Sequence, residues 1–223
     1  MTETRTETVQ LADGRALPLT IAEPERVVRG GLVVLHEAHG VTDTVRMLVS
    51  AFAAEGWLTV APHLHQGAGS REEQVRELSG DCVLADTDIA FAFLADRGIT
   101  ADLMGVIGFD LGGTATVVVA ARRSIGAAVS ISAGGIIQPA ASGLPPLVEI
   151  AGELKCPWLG MYGDQDTEID PSEVEKLRDA AIGSGTATNV VRFADADHRF
   201  DTDAEAAHEA WHRTLNWFDA HLR

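Results

Sequence analysis

The chain is short of cysteine, of positive charge and of long apolar runs, and each shortage excludes something. Its only cysteines, Cys82 and Cys156, are far apart and fit neither a zinc-ligand nor a CxxC spacing. A disulfide framework and a thiolate metal centre are therefore not expected. At 223 residues the chain can bury a core large enough to need no such staple. Without a secretory cysteine pattern, the thiols point to a reducing compartment. The opening residues, MTETRTETVQ, lack the apolar centre of a signal peptide, and no apolar run is long enough to span a bilayer. A cytoplasmic location with no membrane partner is the expectation. Only 17 Lys and Arg stand against 33 Asp and Glu, a formal charge of −16. So acidic a surface repels phosphate, which excludes nucleic acid as a partner. Internal repeats, a low-complexity tail and an interdomain linker are also lacking, so residues 1–223 are expected to form a single domain.

What is present is an alternation of strand-like and helix-like segments, the pattern of a mostly parallel sheet covered on both faces. Residues 16–21 alternate in polarity and predict an antiparallel starting strand. Residues 31–35, GLVVL, form a short wholly apolar run, as buried parallel strands do. Further strands are predicted over 58–61 (stopped at Pro62), 104–107, 127–131, 158–162 and 189–193. Helices are predicted over 47–55, 86–96 and 111–121, from Ser172, and from about Ala204 to the end. Residues 134–153, rich in Gly, Pro and Ala, suit a loop with some helix rather than a cap domain.

Four segments carry candidate chemistry. In MGVIGFDLGG, residues 104–113, a buried strand runs through Gly108-Phe109-Asp110-Leu111-Gly112 straight into a helix. This is the pattern of a nucleophile elbow, G-x-Nuc-x-G, which presents its central side chain at the carboxyl end of the sheet. The following residue, Leu111, would offer its N–H to an oxyanion, aided by the helix dipole. Asp110 also reads as a plain N-cap, since Asp satisfies the first N–H groups of a helix. In WLGMYGDQD, residues 158–166, Asp166 lies just past a strand end, where a carboxylate can orient an imidazole. Asp164 competes for that role, but the spacing G-x-x-D favours Asp166. In VVRFADADHRF, residues 190–200, His198 follows a strand before the last helix. The order elbow, acid, histidine is the one expected of an α/β-hydrolase fold, with His198 as the base. In VVLHEAHG, residues 33–40, Glu37 ends a buried strand, and Ala38 can supply a second oxyanion N–H. His36, His39, His63 and His65 fall near two strand ends. Scattered loop histidines are the plainer reading there, and no metal site is expected.

Together VVLHEAHG, AAEGWLTVAPHLH (53–65), GFDLGG, MYGDQD and ADHRF occur in the order found in the dienelactone hydrolase family, which the chain resembles over nearly its whole length. The resemblance implies a capless α/β-hydrolase fold with a mostly parallel central sheet and helices on both faces. It implies hydrolysis of a small ester or lactone through a Cys nucleophile, with no cofactor. Carried over, Glu37 matches the glutamate governing the nucleophile's protonation, Ala38 and Leu111 the oxyanion donors, and Asp166 and His198 the rest of the triad. His39 and Arg199 fall beside them as substrate-contacting candidates.

The sequence departs from the pattern where Asp110 replaces the Cys. His63 and His65 replace the Asp and Tyr of a P-D-L-Y stretch, and Arg199 follows the catalytic His where a small residue is common. The arginine expected downstream to bind a substrate carboxylate is absent, with Thr202 near its place. A carboxylate is a poor acyl nucleophile but a good one toward sp³ carbon. GFDLGG accordingly also resembles the motif of dehalogenases and epoxide hydrolases with an Asp nucleophile. A non-catalytic small-molecule-binding homologue is the alternative from another class. Crowding of Glu37, Asp110 and Asp166 around one imidazole predicts a proton shared between Glu37 and Asp110 near neutral pH. The expected partner is a small-molecule substrate; oligomeric state is not legible.

Overall fold

The computed structural model describes residues 2–11, 14–64, 70–200 and 203–223. One eight-stranded sheet runs through it. Its strands are β1 (Thr4–Gln10), β2 (Ala16–Ala22), β3 (Gly30–Leu35), β4 (Trp57–Pro62), β5 (Met104–Phe109), β6 (Ala127–Ile131), β7 (Trp158–Gly163) and β8 (Thr188–Phe193), in the order β1-β2-β4-β3-β5-β6-β7-β8. From β4 across to β8 every pairing is parallel, while β1 and β2 join antiparallel at one edge. The 16–21 segment is thus antiparallel as expected, but it is not the starting strand. β1 precedes it, and its exposed edge position leaves no alternating apolar pattern to read.

The helices are α1 (Asp43–Ala54), α2 (Arg71–Arg76), α3 (Gly80–Ala95), α4 (Leu111–Arg122), α5 (Leu147–Ile150), α6 (Pro171–Ile182) and α7 (Ala204–His221). The period of two in the strands sends alternate side chains to two separate cores. Val33, Leu35 and Val106 pack with residues of α3 to α6 on one face. Leu32, Val34 and Ile107 pack with Val49 and Phe52 of α1 and Phe218 of α7 on the other. Central strands wholly apolar on both sides are what such a double covering requires. The 134–153 stretch holds the short α5 and a 3₁₀ turn, too little structure for a cap. α2, unexpected from its weak apolar pattern, is announced by a capping box. The Ser70 hydroxyl accepts from the Glu73 N–H, and the Glu73 side chain accepts from the Ser70 N–H.

This architecture sets every candidate residue along one edge. Glu37 follows β3, Asp110 follows β5, Asp166 follows β7 and His198 follows β8, all at the carboxyl ends of parallel strands. Such an edge collects the loops of a parallel sheet and is where its ligands bind.

Candidate active site

Asp110 occupies the turn between β5 and α4 with φ 50° and ψ −120°, a conformation non-glycine residues rarely adopt. Steric contacts on both sides hold it there. A Cβ on Gly108 would lie 2.0 Å from the Gly112 carbonyl oxygen, and one on Gly112 would lie 2.2 Å from that of Leu35. Both glycines are therefore demanded by close backbone approach. The Asp110 side chain makes no capping hydrogen bond to α4, so the N-cap reading of this residue is not what the structure contains. Its carboxylate, 43% exposed, instead reaches toward His198, with Oδ1 at 3.6 Å from Nε2.

His198 has to cross from the edge strand β8 to the elbow at β5, three strand spacings or about 14 Å at ~4.8 Å each. Two features carry the chain over. Gly163, at the end of β7, leaves room for the crossing loop: a Cβ there would lie 2.2 Å from the Ala196 carbonyl oxygen. Ser132, just past β6, donates its hydroxyl to the His198 carbonyl at 2.6 Å. Ser132 also has positive φ, 49°, as does Phe200 at 58°. Among the described residues the three non-glycine positions with positive φ are Asp110, Ser132 and Phe200, and all border this site. Such clustering of backbone strain is characteristic of functional sites. Ser132 carries no motif that sequence reading could have recognised.

The imidazole is fixed from its far side. Asp166 Oδ2 accepts from His198 Nδ1 at 2.7 Å, and Asp166 Oδ1 accepts from the Glu168 and Ile169 N–H groups at 2.7 and 3.1 Å. The side chain of Asp166 is buried, at 1% exposure. Asp164 points elsewhere and pairs with Arg192 at 2.6 Å, which resolves the competition between the two aspartates. The Asp110 carboxylate first, and then the Asp166 hydrogen bond and charge, push His198 up to about 9 against the opposing effect of its burial. The Asp110 contact is long, at 3.6 Å between Oδ1 and Nε2. The shift favours the charged imidazole near neutral pH.

Glu37 does not join Asp110. Its Oε1 faces Arg199 at 3.9 Å, while Asp110 faces His198. No hydrogen bond between the two carboxylates occurs among the described residues, so the expected shared proton lacks its geometry. Each carboxylate has a cation instead. Leu111 opens α4, and its N–H is one of the first-turn groups that have no acceptor within a helix. The Glu37 carbonyl accepts from His36 Nδ1 at 2.7 Å and from the Gly40 N–H at 3.1 Å. Across a trans peptide, the Ala38 N–H points the opposite way.

The histidine cluster separates on inspection. His36 is buried, and its Nε2 accepts from the Leu64 N–H at 2.9 Å, so its Nδ1 carries the hydrogen donated to Glu37. Nε2 ties the end of β3 to the chain beyond β4, and Nδ1 bonds the carbonyl of the adjacent Glu37. His63 Nε2 bonds the Thr20 hydroxyl at 2.9 Å, and burial first, then Arg46, lowers its pKa. His65 and Thr202 lie outside the described residues. Among the described residues no group of three or more His, Cys, Asp or Glu is placed to hold a metal ion. Cys156 cannot substitute for a nucleophile: it sits at the amino end of β7, buried, its thiol pushed up to about 12 by that burial.

A cavity of about 530 Å³, missed in the sequence, adjoins the site. It lies between α1 and α7, with Glu37, His39 and Arg199 at its polar rim and Val45, Leu48, Phe109 and Trp211 among its apolar walls. Among the described residues no helix is long and apolar enough to cross a membrane.

Comparison with known proteins identifies the family and the fold. The profile of the dienelactone hydrolase family matches residues 17–222. A Yersinia pestis protein provisionally named a carboxymethylenebutenolidase is 27% identical over 234 residues, covering 96% of this chain and 88% of that protein. The crystal structure of a provisionally assigned dienelactone hydrolase from Klebsiella pneumoniae is similar with a TM-score of 0.85 at 29% identity, covering 97% of this chain and 99% of that one. A puromycin-hydrolysing peptidase of Mycobacterium tuberculosis shares the fold alone, with a TM-score of 0.83 at 19% identity over 99% of this chain and 39% of that one. Matched from β2 to the end of the last helix, and with an α/β-hydrolase fold, the chain belongs to the dienelactone hydrolase family and is a hydrolase.

Proposed function

We propose that the chain hydrolyses a small ester or lactone at the carboxyl edge of the sheet, with Asp110 positioning the attacking water, His198 carrying the proton and Asp166 orienting the imidazole. The observation that supports this reading is the Asp110 side chain itself. It is held in a strained turn, makes no helix cap and faces an imidazole that Asp166 fixes from behind. In the ester route a water hydrogen-bonded to both Asp110 and His198 is the nucleophile. Neutral His198 takes a proton from that water as its oxygen adds to the carbonyl carbon. The oxyanion is met by the Leu111 N–H at the start of α4. Collapse breaks the acyl–oxygen bond, and the departing alkoxide takes the proton from His198. A lactone opens by the same steps. Because the charged form of His198 is favoured near neutral pH, this route speeds up as pH rises toward about 9.

The Asp110–His198 contact favours a second reading, in which Asp110 attacks an sp³ carbon. A carboxylate needs no base for that step, so a charged His198 is no obstacle. The carbon–leaving-group bond breaks as the Asp110 oxygen–carbon bond forms, and Asp110 becomes a neutral ester. That removes the largest cause of the raised His198 pKa, so the imidazole releases its proton to solvent. It can then deprotonate a water that attacks Cγ of Asp110, which frees the alcohol and restores the carboxylate.

Turnover of an aryl ester, a lactone, a haloalkane and an epoxide by the wild type and by His198→Ala tests both readings. Ester or lactone turnover lost in the variant supports the first. Haloalkane or epoxide turnover supports the second, and a single turnover in ¹⁸O-water then leaves the product alcohol unlabelled. No turnover of any of them by the wild type overturns both.

A further inference from the structure

The cavity between α1 and α7 belongs to no step of the chemistry above, yet its position ties it to that chemistry. Its walls include Phe109, the residue before Asp110, and Arg199, the residue after His198. Glu37 closes its rim beside the elbow, with Arg199 3.9 Å away. The lining does not include Asp110 or His198 themselves, and it meets them through their chain neighbours Phe109 and Arg199. The volume of about 530 Å³ falls in the range of sites that enclose small organic ligands. A second cavity of about 250 Å³ shares Leu48, Phe109, Arg199 and Trp211 with the first and extends it inward toward Phe52 and Ile131.

The composition of the walls decides what fits. Val45, Leu48, Phe109 and Trp211 are only half-buried although they sit inside a cleft, and they present wetted apolar surface. Charge is confined to Glu37 and Arg199 at the mouth, which already face each other. Such a space gains from an apolar occupant and offers little to a polar one.

We propose that this cavity seats the apolar portion of the substrate, an alkyl chain or aryl ring attached to the group that reacts at Asp110, so that the enzyme selects hydrophobic over small polar substrates. The inference rests on the reading of the Asp110–His198–Asp166 site as the place of reaction. Each methylene buried there is worth up to about fourfold in affinity, so four additional carbons are worth at least tenfold even if most of that is lost.

The test separates binding from turnover. Binding of octanamide and butanamide, neutral and resistant to hydrolysis, is measured calorimetrically on the wild type, Ala51→Phe and Thr44→Trp. Ala51 lines the cavity, and Thr44 lines its exposed mouth, where a larger side chain does not disturb the core. Octanamide should bind at least tenfold tighter than butanamide to the wild type, and each variant should remove that difference. In parallel, kcat/KM for nitrophenyl octanoate should exceed that for nitrophenyl acetate by a similar factor, again lost in the variants. Equal binding of the two amides, or a preference that survives both substitutions, overturns the proposal. Chain-length-dependent binding that the variants abolish, with no turnover of any ester, lactone, haloalkane or epoxide, supports the cavity as a ligand site while overturning the hydrolytic role of the triad.

Discussion

Asp110 Oδ1 lies 3.6 Å from Nε2 of His198 while Asp166 Oδ2 lies 2.7 Å from Nδ1, so one imidazole stands between two carboxylates. In a dienelactone hydrolase-like site with a cysteine at the elbow, the imidazole would face a thiol and only one acid. The second carboxylate changes which protonation state rests at neutral pH, and the mechanism has to begin from there.

The titration of His198 follows directly. Followed by NMR, His198 should titrate near 9 in the wild type and markedly lower in Asp110→Asn, since the largest cause of the shift is removed. The folded-state pKa lies above the ordinary value of 6.5, so folding gains from the charged form. That stability is fully present below about pH 6.5 and is lost as pH rises through about 9. Its size is on the order of 1–3 kcal/mol after allowing for screening at the half-exposed Asp110. Chemical denaturation at pH 6 and pH 10 should show the wild type losing more stability than Asp110→Asn. An equal loss in both would sink the ion-pair account.

Asp166→Asn and Asp164→Asn should differ sharply. The first leaves an amide where a buried carboxylate held the imidazole, and should cost roughly 10³–10⁴-fold in kcat on whatever substrate is turned over. The second breaks a partly exposed pair with Arg192 and should change kcat by less than about twofold and stability by under about 1 kcal/mol. Steady-state kinetics on the two variants settles the matter, and comparable losses would count against the geometry described.

Ser132→Ala removes the hydroxyl that anchors the His198 carbonyl at 2.6 Å. A loss of about 1 kcal/mol in stability is expected from the missing hydrogen bond. A positioning role further predicts that kcat falls several-fold with KM little changed, because the imidazole is displaced without the binding walls being touched. A variant that loses stability but keeps its kcat would make Ser132 structural only.

Gly108→Ala should prevent folding or cost more than about 3 kcal/mol, since its Cβ would lie 2.0 Å from a backbone oxygen that cannot move without unwinding α4. Gly134→Ala, where a Cβ meets nothing within 4 Å, should stay within about 0.5 kcal/mol of the wild type. Thermal melts of the pair test whether the elbow glycine acts through sterics.

Local features were legible without coordinates. The apolar runs of β3 and β5, the glycine spacing around Asp110 and the strand-then-acid and strand-then-histidine order are written in neighbouring residues, because a short buried strand and a tight turn are each decided within a few positions. The ends of elements were less legible. β1 sits at an exposed edge, so no alternating apolar pattern marks it. α2 is too short for an apolar stripe, although Ser70 and Glu73 carried its capping signal.

By itself the sequence determined the fold class, the position of the elbow and the carboxyl edge on which Glu37, Asp110, Asp166 and His198 fall. Only the tertiary structure decided that Asp164 is spent on Arg192, that Glu37 faces Arg199 rather than Asp110, that His36 is spent on backbone, and that Ser132 secures the crossing loop. It alone revealed the cavity between α1 and α7. The reason is physical. Hydrophobic period and turn chemistry act between neighbours in the chain, whereas these contacts join segments tens of residues apart whose meeting depends on sheet order, loop crossing and the direction each side chain is left to take.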